Sequence, residues 1–123
     1  MCNMERTLTI PVNKREFFRA FVEILQPFIK VRNREGEVFA ELLYQCYLRR
    51  GMAEMKDMFK LVFDYDTREK IQTELDISSA VFRNTLSSLR KKKLIINNTI
   101  PKHYLMDLEK EVNLTFRFLI QND

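Results

Sequence analysis

Residues that break helices are almost missing from this chain: two glycines and three prolines among 123 residues. A domain built only of strands needs turn residues roughly every 8–12 positions. A disordered or linker-rich chain needs them in tracts. With 46% hydrophobic and 31% charged residues, so few breakers leave a globular fold in which helix dominates. The length fits one domain over 1–123, with an N-terminal part (1–63) and a C-terminal part (64–123). No apolar run approaches the ~18 residues of a membrane span. The opening MCNMERTLTI has no basic segment followed by an apolar one, so no secretory leader and no membrane are expected. Cys2 and Cys46 are too few for a disulfide framework and point to a reducing, cytoplasmic setting.

The formal net charge is +4, and its distribution is uneven. Residues 1–77 carry 13 basic and 13 acidic side chains. Residues 78–104 carry Arg83, Arg90, Lys91, Lys92, Lys93 and Lys102 and no acid. Residues 105–123 carry 2 basic and 4 acidic side chains. The whole excess sits in one stretch, and a polyanion is the economical partner if that stretch forms one surface. A merely solvated lysine-rich helix end is the competing reading.

Along the chain, Leu8, Ile10 and Val12 alternate with Thr7 and Thr9, predicting a short strand over 6–12 that Pro11 confines to an edge. Asn13 and Glu16 form a capping box for a helix over 14–30. Its apolar residues, from Phe17 to Ile29, cover an arc of roughly 200°, wider than an ordinary one-sided stripe. That predicts burial on two sides, against the protein's own core and against either a later segment or a second subunit. Pro27 is expected to kink the last turn. A second helix is expected over 35–50, stopped by Gly51, and a Met-rich third over 53–62.

From Thr67 to Ile96 the chain reads TREKIQTELDISSAVFRNTLSSLRKKKLII. Asp66 and Glu69 make a capping box for a short helix carrying Ile71 and Leu75. Asp76-Ile77 make a tight turn, and Ser78 caps a second helix with Phe82, Leu86 and Leu89 on one side. A short helix, a tight turn and a longer helix form a helix-turn-helix unit. Leu94, Ile95 and Ile96 then read as a buried strand, Asn97-Asn98 as a turn, and 99–106 as a returning strand. Residues 112–120 alternate (Val112, Leu114, Phe116, Phe118, Ile120) and read as a terminal strand, a candidate partner for 6–12. The expected fold is mainly α with a small β-sheet.

This stretch resembles the winged helix-turn-helix family over about 40 residues. In that family a helix ends in a Leu-Gly-Ile-Ser-like turn, a recognition helix follows, and a basic residue, Gly, Leu and Ile close it. Glu74-Leu75-Asp76-Ile77-Ser78 and Lys92-Lys93-Leu94-Ile95 stand in the corresponding places. Asp76 and Lys93 replace the two glycines. Aspartate tolerates the left-handed conformation, whereas a left-handed lysine costs roughly 1 kcal/mol, so a different turn is expected there. The element order also resembles small plasmid and phage replication initiators, through Phe17 to Ile29, Thr67-Arg68-Glu69 and Leu114 to Phe118. That likeness implies origin binding and recruitment rather than catalysis.

The resemblance implies sequence-specific binding of double-stranded DNA by the helix over 78–92, in a transcription regulator or a replication initiator. With Phe82, Leu86 and Leu89 inward, Ser79, Ala80, Arg83, Asn84, Ser87 and Arg90 face outward. A helix of this width enters the major groove, where Arg reads guanine and Asn reads adenine. Ser78, Ser79 and Ser87 are short enough to admit the phosphate backbone. Lys91, Lys92 and Lys93 are expected on phosphates without base preference. Thr67, Arg68 and Lys70 open the preceding helix and are expected on the adjacent backbone, and Lys102 on a basic wing. A homodimer through 14–30 is one expected partner. A protein-interaction module inside a larger assembly is the alternative.

No chemistry competes with binding. His103 and two distant cysteines match no zinc spacing. Gly36 and Gly51 cannot build a phosphate-cradling loop. Asp64 and Asp66 could pair on a metal, but a helix cap explains Asp66 better. Nucleophile, base and orienting group do not converge, so neither an enzyme nor a cofactor is expected. Asn97-Asn98-Thr99 and Asn113-Leu114-Thr115 match the glycosylation pattern and are expected to stay unmodified.

Overall fold

Asn13 starts the first helix as its spacing to Glu16 predicts: its side-chain oxygen accepts the Glu16 N–H at 2.8 Å. In the computed structural model, which describes residues 6–109 and 111–122, this helix (α1) spans Lys14–Ile29. Cys2 lies outside the described residues. Helix α1 runs through Pro27 and ends where Lys30 turns left-handed, at φ 50°. The Gln26 amide then bonds both the N–H and the carbonyl of Val31, setting the turn into α2 (Asn33–Leu48). There the Glu35 carboxylate accepts the Arg32 N–H at 2.6 Å. Three helices follow: α3 (Met55–Val62), α4 (Tyr65–Leu75) and α5 (Ser79–Lys91).

Helix α2 is the hub, in contact with each of the other four helices. Val38, Phe39, Leu42, Leu43 and Cys46 are buried along it, and so are Glu41 and Gln45. Burial pushes the Cys46 thiol up to about 12, so it stays protonated and inert. Two-sided burial therefore belongs to α2. Helix α1 buries one face, Phe18, Phe21 and Val22, while Phe28 remains exposed. At Gly36 the two helices lie in ordinary contact: a Cβ there would stand 3.4 Å from Val22 Cγ1 and would be accommodated. Glu41 is tolerated inside because Arg15 Nε and Arg19 Nη2 lie 3.5 and 3.3 Å from its carboxylate. Arg15 also reaches Glu74 at 3.0 Å, so one charge network ties α1, α2 and α4.

Both ends of α4 and α5 are built from the local chemistry of their residues. Asp64 caps α4 by accepting the Thr67 N–H at 2.8 Å. The cap is thus two residues before Asp66, which lies within the first turn. At the other end Asp76 is left-handed, at φ 52°, and the Ile77 N–H reaches back to Gln72 O at 3.0 Å. Ser78 Oγ accepts the Val81 N–H at 3.1 Å and opens α5. Lys93 closes it in the same way as Asp76: φ is 63°, the Lys93 N–H bonds Arg90 O and the Leu94 N–H bonds Leu89 O. The turn expected to differ for want of glycine keeps the left-handed form.

The expected sheet is not formed. Among the described residues there is no β-strand, only one isolated antiparallel bridge between Ile96 and Thr99, and the fold is all-helical. Asn97 and Asn98 are both left-handed and make the expected two-residue turn. Pairing stops there for physical reasons. Pro101 has no N–H to donate. Residues 102–104 wind into a single 3₁₀ turn, and Tyr104 packs edge-on against Phe39 at 5.5 Å. Ile100 is buried as well, so the segment folds onto the core instead of projecting as a wing. Leu94 and Ile95 are buried directly behind the end of α5, without a ladder. Segments 6–12 and 112–120 alternate but have no backbone hydrogen-bond partner among the described residues.

Replacing either cap removes one satisfied backbone donor. Asp64→Ala and Ser78→Ala are each expected to lower unfolding free energy by about 1 kcal/mol. Asp66→Ala should stay within about 0.5 kcal/mol. Lys93→Gly relieves the left-handed strain and should raise stability by up to about 1 kcal/mol. Denaturant unfolding followed by far-ultraviolet circular dichroism checks all four, and an Asp66→Ala loss equal to that of Asp64→Ala would contradict the capping assignment.

Candidate nucleic-acid interface

Helix α5 is held from behind by Phe82, Leu86 and Leu89, none more than 1% exposed. They pack on α2 and α4. Thr85 joins them, its hydroxyl donating to Val81 O at 2.8 Å. With that side fixed, Ser79, Ala80, Arg83, Asn84, Ser87, Arg90 and Lys91 are exposed. At 100° per residue they span roughly 140° of the helix circumference. No acidic residue occurs between Ile77 and Met106, so this face carries positive charge without an internal counter-charge.

The surroundings extend it. Arg90 Nη2 lies 3.4 Å from the Asn98 side-chain oxygen, linking the helix end to the two-residue turn. Lys93 is exposed, as are Lys102 and His103 on the 3₁₀ turn. Arg83, Asn84, Ser87, Arg90, Lys91 and Lys93 thus lie on or directly after one helix. The projecting basic wing is absent, and Lys102 sits on a turn seated against the core.

Five expected contacts look different in the structure. Thr67 is buried: its hydroxyl donates to Leu61 O at 2.7 Å and accepts from Arg49 at 3.3 Å, so it is a structural residue. Arg68 Nε donates to Phe63 O at 3.0 Å, which ties down half of its guanidinium. Lys70 is exposed but shares a concavity with Asp66, Glu69 and Glu74, an acidic setting that repels phosphate. Lys92 is held within the protein. Its ammonium lies 2.6 Å from Glu35 and 3.0 Å from Lys30 O. Ser78 is exposed, but its oxygen serves as the α5 cap.

The Lys92 contact brings in two cations that sequence spacing could not place. Lys30 and Arg32 are exposed on the α1–α2 turn, next to the end of α5. Only a contact between residues 62 apart reveals this, and no local motif encodes it. Burial pushes the Glu35 carboxyl up. The Arg32 N–H and the Lys92 ammonium outweigh that and hold it below the usual carboxylate range.

Among the described residues no group of three or more His, Cys, Asp or Glu side chains could hold a metal ion, and no helix is long and apolar enough to cross a membrane. The chain matches no protein-family model, no curated protein and no solved structure.

Since the folded Glu35 binds its proton less readily than the unfolded one, the unfolded chain takes up more protons as pH falls. The Glu35–Lys92 contribution is fully present above the ordinary glutamate range, about pH 4.3, and is lost as pH drops through the lowered value. Glu35→Gln should therefore flatten the acid limb of a stability–pH curve while changing its shape little at alkaline pH. An unchanged acid limb would mean that the pair is not formed.

Proposed function

We propose that this chain binds double-stranded DNA by laying the outward face of α5 in the major groove. One observation carries the reading: an acid-free face of Arg83, Asn84, Ser87, Arg90 and Lys91 stands opposite the buried Phe82, Leu86 and Leu89. A helix in the second position of a helix-turn-helix presents its early residues to base edges. Arg83 and Asn84 then have the donor and acceptor geometry to discriminate guanine and adenine, each worth about 1–3 kcal/mol. Arg90, Lys91, Lys93 and Lys102 serve as phosphate contacts, with Lys30 and Arg32 beside them. Lys92, Thr67 and Lys70 are not needed. Such a protein acts in transcription control or at a replication origin, by recruitment and not by catalysis.

A second reading, docking to a protein in a larger assembly, is favoured by one specific feature. Leu8, Ile10, Phe118, Leu119 and Ile120 are exposed on the two terminal segments, each more than 60%. DNA binding and docking differ in their response to salt, because phosphate contacts release counterions.

With four to five cations engaged, log affinity against log salt should fall with a slope between about −3.5 and −4.5. Duplex oligonucleotides selected from a random pool supply the ligand, and fluorescence anisotropy the readout. Arg83→Ala should flatten base preference, costing about 1–3 kcal/mol on the preferred duplex. Lys91→Ala should weaken all duplexes alike and reduce the slope by about one. Binding indifferent to salt, or an Arg83→Ala variant with unaltered preference, would exclude the reading.

A further inference from the structure

Residues 111–122 follow the helical body as a segment that belongs to no helix. Among the described residues none of their backbone N–H groups bonds to another backbone group. No proline occurs in the segment, so every residue has a donor to offer. Phe116, Phe118, Leu119 and Ile120 are exposed, with Phe118 at 83% and Ile120 at 88%. Even-numbered positions from Val112 to Ile120 are all apolar, and odd-numbered ones from Glu111 to Arg117 are all polar. Unsatisfied backbone donors and strict two-residue alternation together describe a strand without a neighbour. Among the described residues the chain supplies none.

We propose that the occupant is the same segment of a second copy, so that two chains pair antiparallel about Leu114 into a ribbon that a single chain does not form. Two-fold antiparallel pairing of identical strands is self-complementary: every residue finds its mate at the same distance on the other side of the axis. With the axis at Leu114, Val112 faces the partner's Phe116, and Asn113 faces the partner's Thr115. Arg117 faces the partner's Glu111, and the same ion pair recurs on the other side. Glu111 and Arg117 are the only charged residues between 111 and 122, and only this axis places them opposite each other. Moving the axis to Phe116 sets Arg117 against the partner's Thr115 and leaves Glu111 without its counter-charge. Opposite charges across a strand pair stabilise it and like charges destabilise it. The charge pattern thus selects both the partner and the register. On the even side Val112 against the partner's Phe116, and Leu114 against the partner's Leu114, take apolar surface out of water.

The experiment uses the full chain and measures mass against concentration by sedimentation velocity. The monomer is 14.9 kDa. The wild type is expected to shift toward twice that mass as concentration rises. Phe116→Lys should remain monomeric at every concentration while keeping its helical circular dichroism, since the segment lies outside the helices. Arg117→Glu and Glu111→Arg should each weaken dimerisation roughly tenfold, because each creates like-charge contacts on both sides of the axis. Combining both should restore it to near the wild-type value. A wild type that stays monomeric overturns the proposal. So does a dimer that tolerates Phe116→Lys, a dimer abolished by Leu8→Lys alone, or a double charge reversal that fails to restore pairing. The base preference of Arg83→Ala has no bearing on these masses, so the two readings fail separately.

Discussion

Enclosure of α2 by the other four helices is the constraint on which the rest depends. Its side chains are buried around most of its circumference, from Val38 and Phe39 to Leu42, Leu43 and Cys46. A helix in that position fixes the rotation of every helix laid on it, because interiors are close-packed and do not absorb a turned neighbour. For α5 the consequence is direct. Phe82, Leu86 and Leu89 fill the space beside α2 and α4, and any rotation that hid Arg83 would expose them. Truncating one such residue would cost about 2–5 kcal/mol. The outward direction of the basic face follows from core packing, and no interaction made by the basic residues themselves is required.

Charge is arranged around that core in two different ways. Around α1 and α2 acids near the core meet a base: Glu41 with Arg15 and Arg19, Glu74 with Arg15, Glu35 with Lys92. Arg50 is taken by Asp107 at 2.8 Å. The α5 face has no such counter-charges. A field that is balanced on one side and unbalanced on another steers a polyanion toward the unbalanced side. The concavity around Asp66, Glu69 and Glu74 carries an excess of negative charge, which disfavours a polyanion there.

Local chemistry was legible in the sequence and long-range chemistry was not. Asn13 and Ser78 cap helices because a short polar side chain three residues before an orphan N–H needs nothing else. Asp76 is left-handed as its place in the turn demands. The α4 cap was misplaced because Asp66 and Glu69 fit a capping box, whereas Asp64 gains from Thr67, whose hydroxyl is also fixed to Leu61. Lys93 shows that one strained residue is accepted when Leu94 and Ile95 gain a buried place behind it. The hub position of α2 is not legible because Glu41 and Gln45 are polar and interrupt an apolar pattern. Glu41 is accommodated by Arg19, 22 positions away, and Gln45 by Arg49 at the end of the same helix. The strands that alternation predicts do not form for a related reason. Alternation states that a segment could pair, but a ladder needs a neighbour that alternation cannot supply, and Pro101 and Tyr104 turn one candidate onto the core. In the candidate site, the face of α5 was readable from its period. The capture of Lys92 by Glu35 and the approach of Lys30 and Arg32 were not.

The most direct test of the central claim is to follow backbone amide chemical shifts while a selected duplex is titrated into the labelled protein. The largest changes are expected at Arg83, Asn84, Ser87, Arg90 and Lys91, smaller ones at Lys30, Lys93 and Lys102, and little at the concavity around Asp66 and Glu74. Changes centred on that concavity or on the apolar residues of the terminal segments, with α5 unmoved, would contradict it.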